Sequence, residues 1–289
     1  MWQGRWLGVV YLNLATLFWG STFVLVKDSL QTLEPGQVNF LRFAIASLAL
    51  APFLLRGEGR LWRAGLELGL LLFVAYLTQT IGLEYTTASR SAFITTLYVV
   101  ILPVLLGLLG HRLGRSVWWA AGLAIGGVGL LSYDGSPPNQ GDVWTLGTAL
   151  AYALYIWRLE RLAPRFPALS LTAVQMWVVA LGSFFWMLGE KPAWNLAQFP
   201  YLSLLYLGLV ASALCVWLQA LGQRLVSAPQ AAVIFTLEPV YAAAFAFVLL
   251  GERLGGQGLV GAGLILLATL ISQLQSDRPH PEQVTPDAG

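Results

Sequence analysis

The chain has 289 residues, of which 57% are hydrophobic and only 10% are charged, and its mean hydropathy is +0.69. Soluble domains carry about 25% charged residues, so this composition indicates a membrane protein and disfavours the alternative of a very apolar soluble helical protein. The net charge of +2 excludes the broad basic surface that binding to nucleic acid requires.

Ten apolar segments, bounded by charges, proline or glycine, follow one another along the chain. A helix of about 20 residues crosses the hydrocarbon layer, where every backbone polar group must be paired, so we predict a transmembrane helix for each. If a weak segment such as 143–159 does not span, the number falls to about eight or nine. The polar, proline-rich residues 276–289 predict a disordered tail. In chain order the ten segments are residues 6–27, 37–55, 64–83, 91–109, 117–132, 143–159, 169–188, 201–221, 231–250 and 258–274.

Lysine and arginine are distributed unequally between the two sides of these segments. With a cytoplasmic N-terminus, eleven of the 16 basic residues fall on the cytoplasmic side, four fall outside, and Arg42 falls within a span. Cytoplasmic loops of membrane proteins carry the excess of basic residues. We therefore predict an even number of spans, cytoplasmic N- and C-termini, and a location in the cell (inner) membrane.

Part of the sequence occurs twice. Both copies end on Gly-x-Arg-Leu, at residues 110–113 and 251–254. Each copy has five spans, an odd number, so the second copy enters the bilayer in the opposite orientation, as in many secondary transporters. We therefore predict an all-α polytopic membrane protein with ten transmembrane helices in two inverted five-helix repeats, residues 1–135 and 136–275. Matched residues are Gln79 with Gln219, Gly82 with Gly222, Ala92 with Ala232 and Thr96 with Thr236 at an offset of 140, and Trp19 with Tyr152 and Arg42 with Gln175 at an offset of 133.

Short motifs in this order resemble the drug/metabolite transporter superfamily in its ten-helix form, with two EamA-type repeats. The resemblance implies export of amino acids, other metabolites or toxic compounds, without choosing among them. His111 departs from the pattern, because similar proteins often carry glutamate there, and this weakens any role for that loop. The motifs are Phe18-Trp19-Gly20-Ser21-Thr22-Phe23, Leu41-Arg42-Phe43, Ser91-Ala92-Phe93-Ile94-Thr95, Glu238-Pro239-Val240 and Leu250-Gly251-Glu252-Arg253-Leu254.

Arg42 and Glu238 are the basic residue and the acidic residue that lie deepest within the predicted spans. Arg42 is a candidate to bind a substrate carboxylate; alternatively it extends to the outer interface or pairs with a helix C-terminal carbonyl. Glu238 precedes Pro239, which we expect to kink its span. It is a candidate proton carrier or counter-charge for an ammonium group; alternatively it is a protonated side chain that hydrogen-bonds a neighbouring helix.

Four uncharged residues complete the predicted substrate site. Gln79 and Gln219 are a duplicated polar pair that would line or gate one pathway; alternatively they form interhelical hydrogen bonds worth about 0.6 kcal/mol each. Trp19, beside a small-residue run, is the best candidate among the buried tryptophans for an aromatic wall, although packing is the plainer interpretation. Tyr98 holds the position in the first repeat that corresponds to Glu238.

These features predict a secondary transporter that moves small organic metabolites, such as amino acids or similar amphiphiles, most simply by export through alternating access. We expect a lipid bilayer and a small-molecule substrate as partners, possible proton coupling, no nucleic acid, and a monomer or homodimer. We expect no catalytic residues, cofactor or metal, since only two histidines and one cysteine are present and no phosphate-binding loop occurs. The alternatives are a membrane-embedded enzyme acting on lipid and a non-transporting membrane partner protein.

Overall fold

The computed structural model describes residues 2–54, 58–111, 113–132, 137, 139–192, 194, 199–242, 245 and 256–274. Within these ranges the chain is helical and contains no strand. The helices are α1 (Trp2–Gly20), α2 (Thr22–Ser29), α3 (Pro35–Leu54), α4 (Gly59–Tyr85), α5 (Ala88–Thr95), α6 (Tyr98–Leu108), α7 (Arg115–Ser132), α8 (Gln140–Leu162), α9 (Ala168–Glu190), α10 (Tyr201–Tyr206), a π-helix (Leu207–Leu214), α11 (Cys215–Gly222), α12 (Ala228–Phe235) and α13 (Gly256–Leu274), with a 3-10 turn at Ala163–Arg165 after α8.

Five helical stretches in the described part of the chain are long and apolar enough to cross a membrane. They coincide with the first, second, third, seventh and eighth of the ten predicted segments, so the all-helical membrane fold is confirmed. Two further helices, Tyr98–Leu108 and Gly256–Ala268, are apolar but shorter. The predicted tail and the Gly-x-Arg-Leu end at 251–254 lie outside the described residues. The five stretches are Gly4–Ser29, Pro35–Leu54, Gly59–Tyr85, Ala168–Glu190 and Tyr201–Gly222.

Helix boundaries recur at the spacing of the sequence repeat. Helices α5 and α12 begin and end 140 residues apart, α3 and α9 begin 133 residues apart, and α7 and α13 begin 141 residues apart. After both α5 and α12 a two-residue turn, Thr96-Leu97 or Thr236-Leu237, interrupts the helix. Each threonine hydroxyl donates to a carbonyl of the preceding turn, at 2.7 Å in both copies, a contact that often accompanies helix bending.

A helix break lies directly before Pro239, as the sequence led us to expect. The same break occurs in the first copy, where Val99 holds the corresponding position, so a proline is not required for it. Pro239 lies in the first turn of the helical residues 238–242, where proline is tolerated. The repeated Thr-Leu pair is common to both breaks.

Equivalent helices of the two halves pack against each other in antiparallel pairs. In α3 and α9, the N–H of Gly36 donates to the Glu190 carboxylate at 2.9 Å, and the start of one helix therefore meets the end of the other. In α7 and α13, the Gln257 amide donates to the carbonyl of Leu130 at 3.3 Å, again joining a start to an end. Matching helices thus run in opposite directions.

Two further antiparallel pairs cross at glycines. Helices α1 and α11 meet where a Cβ on Gly8 would lie 3.1 Å from the carbonyl oxygen of Gly222. Helices α4 and α8 meet where a Cβ on Gly141 would lie 2.6 Å from the carbonyl oxygen of Gly82. Glycine is required at such crossings because any side chain would separate the backbones. Gly8 and Gly141 are 133 residues apart and Gly82 and Gly222 are 140 apart, so the two crossings are equivalent.

One end of the helix bundle is rich in arginine. Arg158 of α8 pairs with Glu67 of α4, with Nη2 and Oε2 at 3.0 Å. Arg161 lies 3.2 Å from the His111 ring. Arg224, after α11, donates to the carbonyl of residue 163 at 2.9 Å and closes the end of α8.

At the opposite end of the bundle, Arg90 and Lys27 each have a hydrogen-bond acceptor. Arg90 at the start of α5 forms an ion pair with Asp142 at the start of α8, at 2.7 Å. Lys27 donates to the carbonyl of Thr86 at 3.0 Å and caps the end of α4. The Arg90–Asp142 ion pair joins the two halves of the chain at this end, whereas the Lys27 contact lies within the first half.

Candidate functional site

A small cavity lies at the centre of the bundle, between the helix breaks. The volume open to the centre of a water molecule is about 30 Å³. This is room for one or two waters but not for a metabolite. Both halves of the chain contribute side chains to its wall. These are Trp19, Thr22, Tyr76, Gln79, Thr95, Tyr98, Tyr152, Ile156, Gln219, Phe235 and Glu238.

Most of this wall consists of equivalent positions from the two halves. Gln79 corresponds to Gln219, Tyr98 to Glu238, Thr95 to Phe235, and Trp19 to Tyr152. A cavity whose wall pairs equivalent residues lies where the two halves meet. Two of the pairs differ in chemistry. The acid Glu238 corresponds to the phenol Tyr98, and the phenyl ring of Phe235 corresponds to the hydroxyl of Thr95.

Five aromatic side chains form much of the wall. The Trp19 and Phe235 rings meet edge to face with centroids 5.6 Å apart, and the Tyr76 and Tyr152 rings do so at 5.9 Å. Tyr98 lies 6.5 Å from both Tyr152 and Phe235 and connects the two pairs. Aromatic faces of this kind bind flat apolar groups and organic cations.

Four polar atoms of the wall are buried without a hydrogen-bond partner among the described residues. They are the hydroxyls of Tyr76, Thr95 and Tyr98 and the side-chain oxygen of Gln219. A buried polar atom without a partner is costly unless water or a ligand satisfies it. The Trp19 indole N–H, by contrast, donates to the carbonyl of Ala211 at 2.8 Å, so this residue presents only its ring to the cavity.

Among the described wall residues, Glu238 alone has an acidic side chain. It begins the helical residues 238–242, directly after the break, and is partly buried. Gly20 packs on this backbone, since a Cβ there would lie 3.0 Å from the carbonyl oxygen of Glu238. The small residue beside Trp19 therefore allows close helix approach, as the sequence suggested. No group of three potential ligand side chains in the described part of the chain could hold a metal ion.

Arg42 is not among the described wall residues, although it packs on the ring of Tyr76, which is. It is only 2% exposed, so the alternative in which it extends to the membrane interface is wrong. Its Nε donates to the Ser212 hydroxyl at 3.1 Å, and its guanidinium carbon lies 4.9 Å from the ring centroids of Phe43 and Tyr76. These contacts hold the charge through one hydrogen bond and two cation–π interactions.

Five of the six residues predicted for the substrate site thus line one cavity, namely Trp19, Gln79, Tyr98, Gln219 and Glu238, and Arg42 does not. Sequence reasoning missed Thr22, Tyr76, Thr95, Tyr152, Ile156 and Phe235. Helical spacing contained the signal. Each missed residue lies three or four positions from another wall residue on the same helix or across the same break, and therefore on the same face.

Comparisons with known proteins agree with this architecture. The profile of the EamA-like transporter family matches residues 6–133 and again residues 139–273. A protein of Archaeoglobus fulgidus named as an uncharacterized transporter is 33% identical over 267 residues, covering 91% of this chain and 85% of the relative. A second protein of that organism, named likewise, is 25% identical and covers 81% of this chain and 85% of its own. A protein of known crystal structure, 19% identical, superposes with a TM-score of 0.76 over 93% of this chain and 97% of its own, which shows a shared fold.

Proposed function

The chain belongs to the EamA-like transporter family, and on that premise we propose that it is a secondary transporter that moves small organic metabolites across the cell (inner) membrane by alternating access. The family and the names of the relatives point to a multi-pass membrane transporter and not to an enzyme. The observation that carries the proposal is the central cavity, whose wall pairs equivalent residues such as Gln79 and Gln219 from the two halves. A site at the junction of two repeats can be exposed to either side in turn.

Ten helices arranged as two inverted five-helix repeats, residues 1–135 and 136–275, are part of this proposal. Support comes from helix direction, because the equivalent helices α3 and α9, and likewise α7 and α13, are antiparallel. Two copies with the same orientation would place equivalent helices parallel. The equivalent glycine crossings of α1 with α11 and of α4 with α8 support the same two-fold relation.

We propose that the arginine-rich end of the bundle, with Arg158, Arg161 and Arg224, faces the cytoplasm, as the positive-inside rule favours. Both chain termini then lie on the cytoplasmic side. All described residues of the cavity wall belong to one chain, so the proposed transport cycle needs no second copy, and the protein can work as a monomer or as a homodimer.

The cavity of about 30 Å³ represents a contracted state, which must widen before a metabolite enters. The breaks at residues 96–97 and 236–237 adjoin the wall residues Thr95, Tyr98, Phe235 and Glu238. Rotation about these breaks would widen the cavity toward one end while contacts such as the Arg90–Asp142 ion pair close the other. Equivalent breaks in two inverted halves make the inward-open and outward-open states structurally similar.

The substrate that we propose is an amino acid or a similar amphiphile, exported from the cell. The aromatic wall would hold its apolar part, and Glu238, the acidic wall residue, would carry a proton or face an ammonium group. Alternating occupancy of Glu238 by proton and substrate would couple export to the proton gradient.

Counterflow in reconstituted vesicles tests the proposal, using labelled metabolites with unlabelled substrate trapped inside. The key variant is Thr95→Phe, which fills the cavity with the side chain that the equivalent residue already has. The matched control is Leu108→Phe, because Leu108 is 82% exposed on the outer surface. We expect exchange in the native protein and the control and its loss in Thr95→Phe. Equal exchange in both variants, each verified as monodisperse and helical, would contradict a pathway through this cavity, and chemical change of the vesicle lipids would indicate an enzyme.

A further inference from the structure

A short relay of hydrogen bonds fixes the orientation of one amide in the cavity wall. The carbonyl of Ile156 can only accept, and the Gln223 side chain meets it with its NH2 group at 2.9 Å. The oxygen of Gln223 must therefore face Gln219, whose own NH2 group donates to it at 3.0 Å. This leaves the oxygen of Gln219, a residue only 1% exposed, as the free atom of the amide. A backbone carbonyl thus fixes the orientation of the Gln219 amide, and its oxygen is a buried acceptor that no described residue satisfies.

The other fixed groups of the wall also favour a donor on the ligand. The Glu238 carboxylate is an acceptor when ionised, and the Trp19 N–H is already used by a backbone carbonyl. The hydroxyls of Thr95 and Tyr98 can donate or accept, and the Gln79 amide offers both functions, so these three do not discriminate. The groups that do discriminate are acceptors.

None of the described wall residues is positively charged. Arg42 is not among them; its Nε is bonded to Ser212, and its guanidinium carbon lies 4.9 Å from the centroid of the Tyr76 ring. A substrate carboxylate in the cavity would find only hydroxyl and amide donors there, and it would lie close to the Gln219 oxygen and Glu238. Such a contact between acceptors is repulsive.

Resting on the proposed transport function, and narrowing its substrate class to amphiphiles without a carboxylate, we propose that the cavity selects organic ammonium ions that retain N–H bonds, meaning primary or secondary amines with a flat apolar body, and that Gln219 sets this selection. The ammonium N–H groups bond the Gln219 oxygen and the Glu238 carboxylate, while the apolar body lies among the rings of Trp19, Tyr98 and Phe235. A quaternary ammonium of the same shape keeps the charge but leaves the buried Gln219 acceptor unsatisfied. Loss of a hydrogen bond between a neutral and a charged group reduces affinity by about tenfold or more.

Four probes of similar shape test this inference on the native protein. They are phenethylamine, its N,N,N-trimethyl derivative, 2-phenylethanol and 3-phenylpropanoate. Equilibrium binding to the purified protein is measured alongside counterflow in vesicles. We expect phenethylamine to bind about tenfold more tightly than the trimethyl compound, and the alcohol and the carboxylate to bind more weakly still. Equal binding of the two cations, tighter binding of the carboxylate, or binding of none of the probes would overturn the inference.

Variants then assign the preference to the relay. Gln219→Leu should reduce the preference for phenethylamine over its trimethyl derivative to about twofold or less. Gln223→Leu, which frees the Gln219 amide to rotate, should reduce it partially. The matched control is Gln175→Leu, because Gln175 is equally buried, bonds Tyr155 at 2.8 Å and lies outside the wall. An unchanged preference in Gln219→Leu, with the control also unchanged, would remove Gln219 from the account.

Binding and flux also separate this inference from the proposed function. Selective binding of phenethylamine without any counterflow would support the inference about the site and contradict transport. Counterflow of neutral or anionic metabolites, with no preference for amines, would support transport and contradict the inference.

Discussion

Replacing Ser212 with alanine tests whether Arg42 is held in the protein interior as the structure indicates. Ser212 is fully buried, and its hydroxyl accepts the hydrogen bond from the Arg42 Nε at 3.1 Å. Alanine leaves a charged donor without this acceptor in a site from which water is excluded. Hydrogen bonds to charged groups contribute about 1.5–3 kcal/mol, whereas the average interhelical hydrogen bond in a membrane protein contributes about 0.6 kcal/mol. Because the two cation–π contacts remain, we expect a loss of about 2 kcal/mol in the free energy of unfolding.

Ser183 provides the matched control. It is also fully buried, but its hydroxyl has no hydrogen-bond partner among the described residues. Ser183→Ala therefore removes a polar group that gains nothing in the folded state, and stability should change by less than about 0.5 kcal/mol or rise slightly.

Reversible unfolding in mixed micelles, followed by circular dichroism as the fraction of denaturing detergent rises, measures both variants against the native protein. The difference between Ser212→Ala and Ser183→Ala is the informative quantity, since both replace serine with alanine in a buried helix. If Ser212→Ala is no less stable than Ser183→Ala, the Arg42–Ser212 hydrogen bond does not support the buried charge and the reasoning fails.

Three further predictions concern helix crossing, coupling and capping. Gly141→Ala should lower the free energy of unfolding by about 1–3 kcal/mol, because its Cβ would lie 2.6 Å from the carbonyl oxygen of Gly82. The control Gly122→Ala, where the space around the Cβ is open, should raise it by up to about 1 kcal/mol. Unfolding in denaturing detergent compares the two variants. Glu238→Gln should fold normally but lose the dependence of counterflow on the pH difference across vesicles, and an unchanged dependence would end its role as proton carrier. Asp142→Ala should destabilise the protein by about 1 kcal/mol more than Asp142→Asn. Both variants lose the ion pair with Arg90, but only alanine removes the side-chain acceptor of the capping box at the start of α8. Equal losses of stability in the two variants would argue against that cap.

The sequence was most informative where the chain repeats itself. The match of Thr96 with Thr236 did not predict a helix break, but the structure shows both helices interrupted at these equivalent residues. Deep polar residues such as Gln79, Gln219 and Glu238 were found because polar groups are rare in hydrocarbon, and the structure brings all three to one cavity.

Side chains with ordinary chemistry were harder to predict. Tyr76 belongs to the wall only because it lies three residues before Gln79 on α4, and a tyrosine in a span gives no signal of its own. Arg42 was predicted to bind substrate because a charge within a span is unusual. Its actual partner, Ser212, is 170 residues away in sequence, and only the packing of α3 against the π-helix brings the two together.

The inverted orientation of the two repeats is tested most directly by the accessibility of their equivalent ends. Single cysteines replace His111 and Glu252 in a Cys215→Ser background, and a membrane-impermeant thiol reagent is applied to intact cells and to inside-out vesicles. The account predicts that the reagent reaches position 252 in intact cells and position 111 only in inside-out vesicles. Labelling of both positions from the same side would contradict it.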